Sequence, residues 1–385
     1  MRILLVNDWV AGEGGVERWL LDARGLLEEA GHDVRLLVSS AGTAADGDAE
    51  YVARAARSPV AQLPLQVANP AAIVTARRAV RSFRPDVALV AMFEMHLSPA
   101  AVLALGDVPV AGVVMYYKPV CPNGRKLWPD GTLCSVRAGA VCVRTGCVPA
   151  WLAPREAARY ALIARALRRM TAVATCSRWM AAKLAANGVD ATPLHLAVAP
   201  PAPGHRREAA PEPTFVYAGR LAPEKGLDDL LDAFASVRHS HPKATLRIVG
   251  GGPEGARLRA RATEGVTFTG RVEREAVATQ WRDAWAAVVP SRWAEPYGMV
   301  AAEAIAHGVP VIASATGGLA EIVEDGRTGA LFPNGDAVAL RDRMRSVADA
   351  TAPAFDDDAA KELMRRHAPR RHAEELEELL RRAGG

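Results

Sequence analysis

This sequence predicts an α/β protein of two doubly wound, parallel-sheet domains, and three observations carry the prediction. Apolar, β-branched runs of strand length alternate with stretches of helical period along the whole chain. The alternation stops at a Pro-rich segment past the midpoint and then begins again. At 385 residues, half of them apolar, the chain can bury two cores. Strands that alternate with helices form βαβ units, whose crossovers leave successive strands parallel.

The elements follow in order. The opening MRILLVNDWV passes from one Arg into an apolar run, with a strand at residues 3–6. That run is too short to span a bilayer and no cleavage site follows, so it reads as the first buried strand of a cytoplasmic protein. Further strands are predicted at residues 34–38, 87–90, 110–114 and 172–175, which makes residues 1–200 one domain. An insertion over about 118–149 shows no regular periodicity. Residues 199–213 read APPAPGHRREAAPEP, too rich in Pro for a helix and too polar for a core strand, and the linker is placed at 201–213. The alternation resumes at 215–218, 246–249, 266–268, 287–289 and 309–313, giving a second domain over 214–358. Residues 359–385, rich in Ala, Leu, Glu and Arg, read as helices broken near Pro369.

Charge excludes one large class of function. The net charge is +4, and the 47 basic residues are scattered among 43 acidic ones instead of forming a tail, so nucleic-acid binding has no compositional support. The abundance of Ala and Arg points to a GC-rich bacterial genome.

In open parallel sheets, ligands bind beyond the carboxyl ends of the strands, so motifs just after strands carry the most weight. Residues 290–336 read PSRWAEPYGMVAAEAIAHGVPVIASATGGLAEIVEDGRTGALFPNGD. Val288 and Val289 end a strand, an irregular loop carries Glu295, and a helix starts at about Met299. The first turn of that helix leaves backbone N–H groups unpaired, an arrangement that attracts phosphate. Pro296 and Gly298 shape the approach, since Gly lets a ligand come close to the backbone. Glu303 lies in the second turn, so one carboxylate can face a sugar while the other accepts hydrogen bonds from a ribose. Taken alone, such a pair also fits a solvated helix start, which favours acidic residues.

Residues 217–234, YAGRLAPEKGLDDLLDAF, place Arg220 just past a strand and Lys225 at the entrance of a helix. Two such cations suit a diphosphate, because Arg engages oxygens bidentately and Lys acts as a point charge. A Gly-rich loop with Gly14 and Gly15 follows the first strand. It is not a dinucleotide fingerprint, since strand two ends in Val38, Ser39 and Ser40 with no acidic residue. VGGGPEG, residues 249–255, sets Gly251 among three glycines between a strand and a helix; a plain turn explains these glycines equally well.

The spacing E-x7-E, the EPYG loop, the GVPVIAS strand and the GG-x-x-EIV-x-DG-x-TG tail resemble, almost position for position, the signature of glycosyltransferase family 4, the retaining enzymes of GT-B fold. The resemblance covers most of the second half of the chain and, more weakly, the first. It implies two Rossmann-like domains facing an interdomain cleft, with acceptor on the N-terminal one, nucleotide sugar on the C-terminal one, and the last helix crossing back. The implied donor is a nucleotide-diphosphate sugar, with a UDP-sugar expected, bound as a substrate and without cofactor or metal. Arg220 and Lys225 then neutralise the leaving diphosphate and Glu295 orients the sugar. Gly251, Tyr297, Gly298, Met299, Val300 and Glu303 complete the donor site, and Arg271 and Val272 flank the base. Gly14 and Gly15 form the N-terminal loop next to donor or acceptor. Retention is expected on one face of the sugar, with the leaving phosphate helping to deprotonate the acceptor.

The first half departs from the family. Many relatives carry a His after the strand at residues 110–114, where this chain reads VVMYYKPVCP with Met115 and Tyr116. His96, in MFEMHLSP after the preceding strand, is the nearby histidine and the N-terminal catalytic candidate; Glu94, Tyr116, Tyr117 and Lys118 compete with it on the acceptor side. Cys121, Cys134, Cys142 and Cys147 lie in the insertion, which reads as an element of acceptor specificity. Their spacing lacks a close C-x2-C pair, leaving zinc, disulfides and free thiols all open. Residues 154–170 form a basic amphipathic helix with Arg155, Arg159, Arg165, Arg168 and Arg169, either a solvated face or a peripheral contact with the inner face of a membrane. Two rivals share the architecture or the ligand: an epimerase or phosphorylase, and a non-catalytic sugar-nucleotide-binding partner. Nothing in the sequence names the acceptor, for which an envelope glycan or a natural product is a plausible setting.

Overall fold

In the computed structural model the described residues are 1–10, 15–41, 49–56, 58–201 and 207–385. They fall into two compact units. One comprises Met1–Pro129, Cys134–Ala197 and Pro369–Gly385, and the other Asp130–Leu133 and Val198–Ala368.

The first unit is built on seven strands among the described residues: β1 (Arg2–Val6), β2 (Asp33–Ser39), β3 (Tyr51–Ala53), β4 (Val87–Val90), β5 (Val110–Val114), β6 (Ala172–Thr175) and β7 (Thr192–Pro193). All pair in parallel, in the order β3-β2-β1-β4-β5-β6-β7. β4 and β5 are buried at every position, which is why they read as unbroken apolar runs instead of alternating ones. The second unit carries β8 (Thr214–Ala218), β9 (Thr245–Val249), β10 (Val266–Gly270), β11 (Ala286–Val289), β12 (Val311–Ser314) and β13 (Gly329–Phe332), again all parallel, in the order β10-β9-β8-β11-β12-β13. Its core is centred on Phe215 and Phe234, whose rings meet edge to face at 6.5 Å. Both predicted parallel sheets are therefore present. The strands missing from the sequence reading, β3, β7 and β13, have two to four residues, too few to show a period.

Each sheet reverses its strand order once, between β1 and β4 and between β8 and β11. Loops leaving the carboxyl ends of the two strands at a reversal diverge and open a crevice between them, the place where such sheets bind ligands. Of the Pro-rich linker, residues 202–206 lie outside the described residues. Its later part is tied to the second unit, with Glu208 N donating to Arg282 O at 2.9 Å and Trp285 Nε1 donating to Ala210 O at 2.7 Å.

The two C-terminal helices part company. Asp357–Arg366, started by the Asp356 side chain accepting from Asp358 and Ala359 N–H, packs in the second unit against the helix Met299–Ala306. Pro369–Gly384 belongs to the first unit and lies against β4, β5 and β6. There Trp19 Nε1 donates to His372 Nε2 at 2.8 Å, and burial lowers the His372 pKa to about 4, which keeps the ring a neutral acceptor.

The basic helix differs from the sequence reading. In Ala153–Arg169, Arg159 is not on a solvated face: it is buried and donates to Glu94 O at 3.4 Å and to Glu156 at 3.1 Å. Arg155 donates to Leu63 O at 2.8 Å and Arg169 to Val108 O at 2.7 Å, while Arg165 and Arg168 face solvent. A guanidinium carries five donors and can satisfy backbone carbonyls inside the protein, so an amphipathic pattern need not mean a free cationic face. Among the described residues no helix is long and apolar enough to cross a membrane.

Candidate active site

The second unit concentrates its predicted residues at its strand reversal. β8 ends in Ala218 and leads through Gly219 and Arg220 to the short 3-10 turn Pro223–Lys225; β11 ends in Val289 and leads through Ser291 and Glu295 to the helix Met299–Ala306. The two loops run in backbone contact. A Cβ on Gly226, at φ +70°, would sit 1.9 Å from Pro290 O, so only glycine permits this approach. The approach brings Lys225 Nζ within 2.7 Å of Glu295 Oε1, with the ammonium 5.1 Å from the centre of the Trp293 ring.

Glu295 is held from several sides. Ser291 Oγ donates to the same Oε1 at 2.5 Å, and Ser291 is held in turn by Ser314 Oγ donating to its carbonyl at 2.7 Å. Burial alone would push the Glu295 pKa up; the Lys225 charge, with hydrogen bonds from Lys225, Ser291 and Trp293, outweighs it and holds the group below its ordinary value. Gly317 and Gly318, the GG of the sequence motif, back the loop. A Cβ on Gly317, at φ +63°, would lie 2.2 Å from Glu295 O, and Gly318 N donates to that oxygen at 2.7 Å.

Around this pair the other predicted positions divide. Gly298, at φ +111°, precedes the helix Met299–Ala306 without a side-chain cap, so the first-turn N–H groups of Met299 and Val300 keep their pull on an anion. Glu303 is half-buried on the same helix. Arg220 has an exposed side chain paired with the buried Glu224. Tyr297 is different: its hydroxyl is 2.7 Å from His367 Nδ1 inside the unit, so its ring has a packing partner there. Gly250 and Gly252 are close-approach glycines, whose Cβ atoms would meet Gly219 O at 2.0 Å and Leu221 O at 2.4 Å. Gly251 has nothing within 4 Å of a built Cβ. Arg271 is exposed and Val272 half-buried just after β10, on the same edge of the sheet. The sequence reading missed Ser291 and Trp293; their place within four residues of Glu295 in one loop was the available signal.

The first unit has its own cluster at the reversal between β1 and β4. Asp8, directly after β1 and fully buried, accepts N–H bonds from Met95 at 2.7 Å, His96 at 2.8 Å and Leu97 at 2.7 Å, so it shapes the loop after β4. Glu94 is also fully buried and receives the Tyr116 hydroxyl. Burial, and after it the neighbouring Asp8 charge, pushes the Glu94 pKa up to about 7, against the opposing Tyr116 hydrogen bond and Arg159 charge. Its Oε1 and His96 Nδ1 are buried with no hydrogen-bond partner among the described residues. The His96 ring meets Trp9 edge-on at 5.1 Å, and burial lowers its pKa. Of the competing acceptor-side residues, Glu94 and Tyr116 come together. Tyr117 is buried and accepts from Trp179 Nε1 at 3.0 Å, and Lys118 Nζ donates to Pro122 O at 3.0 Å. Gly15 begins the helix Gly15–Glu29, while Gly14 lies outside the described residues. Asp8 was not singled out in the sequence, although Asn7 and Asp8 stand out as a polar pair after an apolar strand, and Arg159 was read there only as part of a basic helix face.

In the insertion, Cys121, Cys134, Cys142 and Cys147 are free thiols, and among the described residues no group of three His, Cys, Asp or Glu side chains is placed to hold a metal ion. Burial, with the neighbouring cysteines, pushes the Cys142 thiol up.

Comparison with known proteins adds to this geometry. Residues 14–201 match the model of a glycosyl transferase 4-like domain, and residues 204–360 match the model of glycosyl transferases group 1. A glycogen synthase of Mycobacterium tuberculosis is 35% identical over 173 residues, 44% of this chain and 40% of its own length. A D-inositol 3-phosphate glycosyltransferase of Jonesia denitrificans is 36% identical over 212 residues, 50% of this chain and 47% of its own. The matches thus span less than half the length of these relatives. Among solved structures, a sucrose-phosphate synthase from Thermosynechococcus elongatus superposes with a TM-score of 0.73 at 23% identity over 99% of this chain and 98% of its own. Anabaena HepE in complex with UDP-glucose superposes with 0.68 at 18% identity over 99% of both chains. With a parallel sheet in each unit and two family models that between them match nearly the whole chain, the protein belongs to the group 1 glycosyltransferases of GT-B fold.

Proposed function

We propose that this protein transfers a glycosyl group, with retention and without a metal ion, from a nucleotide-diphosphate sugar to an acceptor hydroxyl, and that the donor is a UDP-sugar. The observation that carries this reading is the assembly at the β8/β11 reversal: Lys225 on Glu295 at 2.7 Å, Ser291 on Glu295 at 2.5 Å, and an uncapped helix start at Met299 beside them. A diphosphate is a leaving group that needs positive potential as its bond to the sugar breaks. Arg220, Lys225 and the N–H groups of Met299 and Val300 supply it from fixed positions, which is how an enzyme lowers a barrier electrostatically. Glu295, kept ionised, accepts hydrogen bonds from the sugar, and Glu303 from the ribose; Arg271 and Val272 flank the base, and Gly251 lets the donor approach. The C–O bond to the diphosphate breaks with its electron pair on the phosphate oxygen, the acceptor oxygen bonds to the same face of the sugar, and its proton passes to that phosphate. On the acceptor side we assign His96, with Glu94 and Tyr116 behind it. Support for uridine as the base comes from HepE, a solved chain of this fold that holds UDP and glucose.

Turnover of a panel of nucleotide sugars in excess EDTA, with the anomeric proton coupling of the product read by NMR, tests the reading. Transfer is expected to persist and the donor's anomeric configuration to be kept. Loss of transfer that manganese or magnesium restores would overturn the metal-free mechanism, and an inverted linkage would overturn retention. Binding without turnover of any donor would mean a non-catalytic sugar-nucleotide-binding protein.

A further inference from the structure

Where β1 ends, the chain continues Asn7, Asp8, Trp9: two fully buried polar residues and then a large aromatic one that is only half-buried. Trp9 is fixed from three directions. Asn7 Nδ2 donates to the Trp9 carbonyl at 2.6 Å, the indole Nε1 donates to Glu17 Oε1, and the ring meets the His96 ring at 5.1 Å and 71°. His96 is tied to the same place, because its backbone N–H donates at 2.8 Å to Asp8, the residue before Trp9. Trp9, Glu17 and His96 therefore form one contiguous group, in which both partners touch the indole.

Each of those partners carries a buried polar atom with no hydrogen-bond partner among the described residues. Glu17 is 5% exposed, and while its Oε1 accepts from Trp9, its Oε2 has no donor. His96 Nδ1 is in the same position. An acidic residue in the first turn of a helix, where Glu17 stands in Gly15–Glu29, is ordinary, since the helix dipole favours it there. A buried carboxylate oxygen without a donor is not ordinary, and a ligand hydroxyl is the kind of group that satisfies it.

A bound water would satisfy either atom but would leave the indole unexplained, an aromatic ring held in one orientation and still partly open to solvent. One class of ligand answers both features: hydroxyl groups around a rim, and a flat face of C–H bonds, which the negative face of an aromatic ring attracts. A sugar ring in its chair form has both. An aliphatic alcohol has the C–H bonds without the rim of hydroxyls, and an anion would meet the Glu17 carboxylate. We propose that Trp9 is the platform on which a sugar ring of the acceptor stacks, its hydroxyls bonded to Glu17 Oε2 and His96 Nδ1, so that the acceptor is itself a saccharide. The assignment to the acceptor rests on the proposed function, which puts the acceptor at His96; the binding of a sugar ring does not.

Saturation-transfer NMR of the full chain with methyl glycosides of glucose, galactose, mannose and N-acetylglucosamine tests this without a donor. At least one is expected to bind, with saturation strongest on the C–H protons of one ring face, a pattern read on the native chain and so independent of how any variant folds. Trp9→Ala is expected to weaken that glycoside by about tenfold, and Trp9→Phe, which keeps an aromatic face, by less. Removing the ring hydroxyl that meets Glu17 should weaken it at least as much, and cyclohexanol should not bind. Affinity for the nucleotide sugar turned over best is expected to be unchanged in both variants. No binding of any glycoside, saturation spread evenly over the ring, cyclohexanol binding as well as the glycoside, or glycoside affinity untouched in a folded Trp9→Ala would overturn the proposal. Weakened nucleotide-sugar binding with unchanged glycoside binding would give the platform to the donor's sugar and overturn the acceptor assignment. Glycoside binding that depends on Trp9 in a chain that turns over no donor would keep the saccharide site and overturn the transferase reading alone.

Discussion

Lys225 Nζ and Glu295 Oε1 pair at 2.7 Å, so in the proposed function a donor phosphate at Lys225 meets a cation already held in place. Removing it with Lys225→Ala takes away one charge-assisted contact worth about 1.5–3 kcal/mol, and kcat/KM for donor should fall about ten- to a hundredfold. The same change leaves Glu295 buried without its cation, so the acidic limb of the pH profile should move to higher pH. Unchanged kcat/KM in a folded variant would remove Lys225 from the site. Glu94 makes the opposite prediction about stability. Its folded value of about 7 lies above the ordinary 4.5. Between those values the folded state keeps a proton that the unfolded chain has lost, so stability is full below the lower value and falls as pH rises through the higher, by up to about 3 kcal/mol. Glu94→Gln cannot ionise, and its stability relative to the native chain should therefore increase from pH 5 to pH 8 in urea titrations. A difference that does not change with pH would show that Glu94 is not held protonated.

At the level of elements, glycines decide how closely the site loops approach. Gly317 and Gly335 both have positive φ, +63° and +77°, but only Gly317 faces backbone, with Glu295 O 2.2 Å from a built Cβ and nothing within 4 Å at Gly335. Alanine at either position meets the left-handed penalty of about 1–2 kcal/mol. Gly317→Ala must in addition move the Glu295 loop, and displacement of a positioned group by about 1 Å can cost about a hundredfold in rate. Thermal melts and donor turnover should therefore separate the two: modest destabilisation with full activity for Gly335→Ala, and loss of both for Gly317→Ala. Equal activities would mean that the Glu295 loop tolerates the shift.

For the whole molecule, the last helix is an integral part of the first unit although it is last in the chain. It buries His372, Leu376, Leu379, Leu380 and Ala383. Each large apolar side chain contributes about 1.5–3 kcal/mol, against a total stability of about 5–15 kcal/mol for a domain. Deleting residues 369–385 should abolish cooperative melting of the first unit while the second still melts near its native temperature. A calorimetric trace that keeps both transitions would show the helix to be dispensable.

Local pattern was enough for the α/β class and the two parallel sheets, because buried parallel strands read as apolar runs, and it singled out Arg220, Lys225, Glu295 and Glu303 because they sit in continuous motifs just after strands. It could not reach features that depend on distant partners. Arg159 reads as solvated on its helix until Glu94 O and Glu156 are brought to it, and Asp8 is a lone acid until the loop of residues 95–97 folds its N–H groups around it. Gln62 likewise turns inward in an otherwise apolar helix only because Met95 O and Ala56 N are there to receive it. Periodicity records which side chains avoid water. Hydrogen-bond satisfaction of buried polar groups is a property of the assembled chain, and only the tertiary structure decides it.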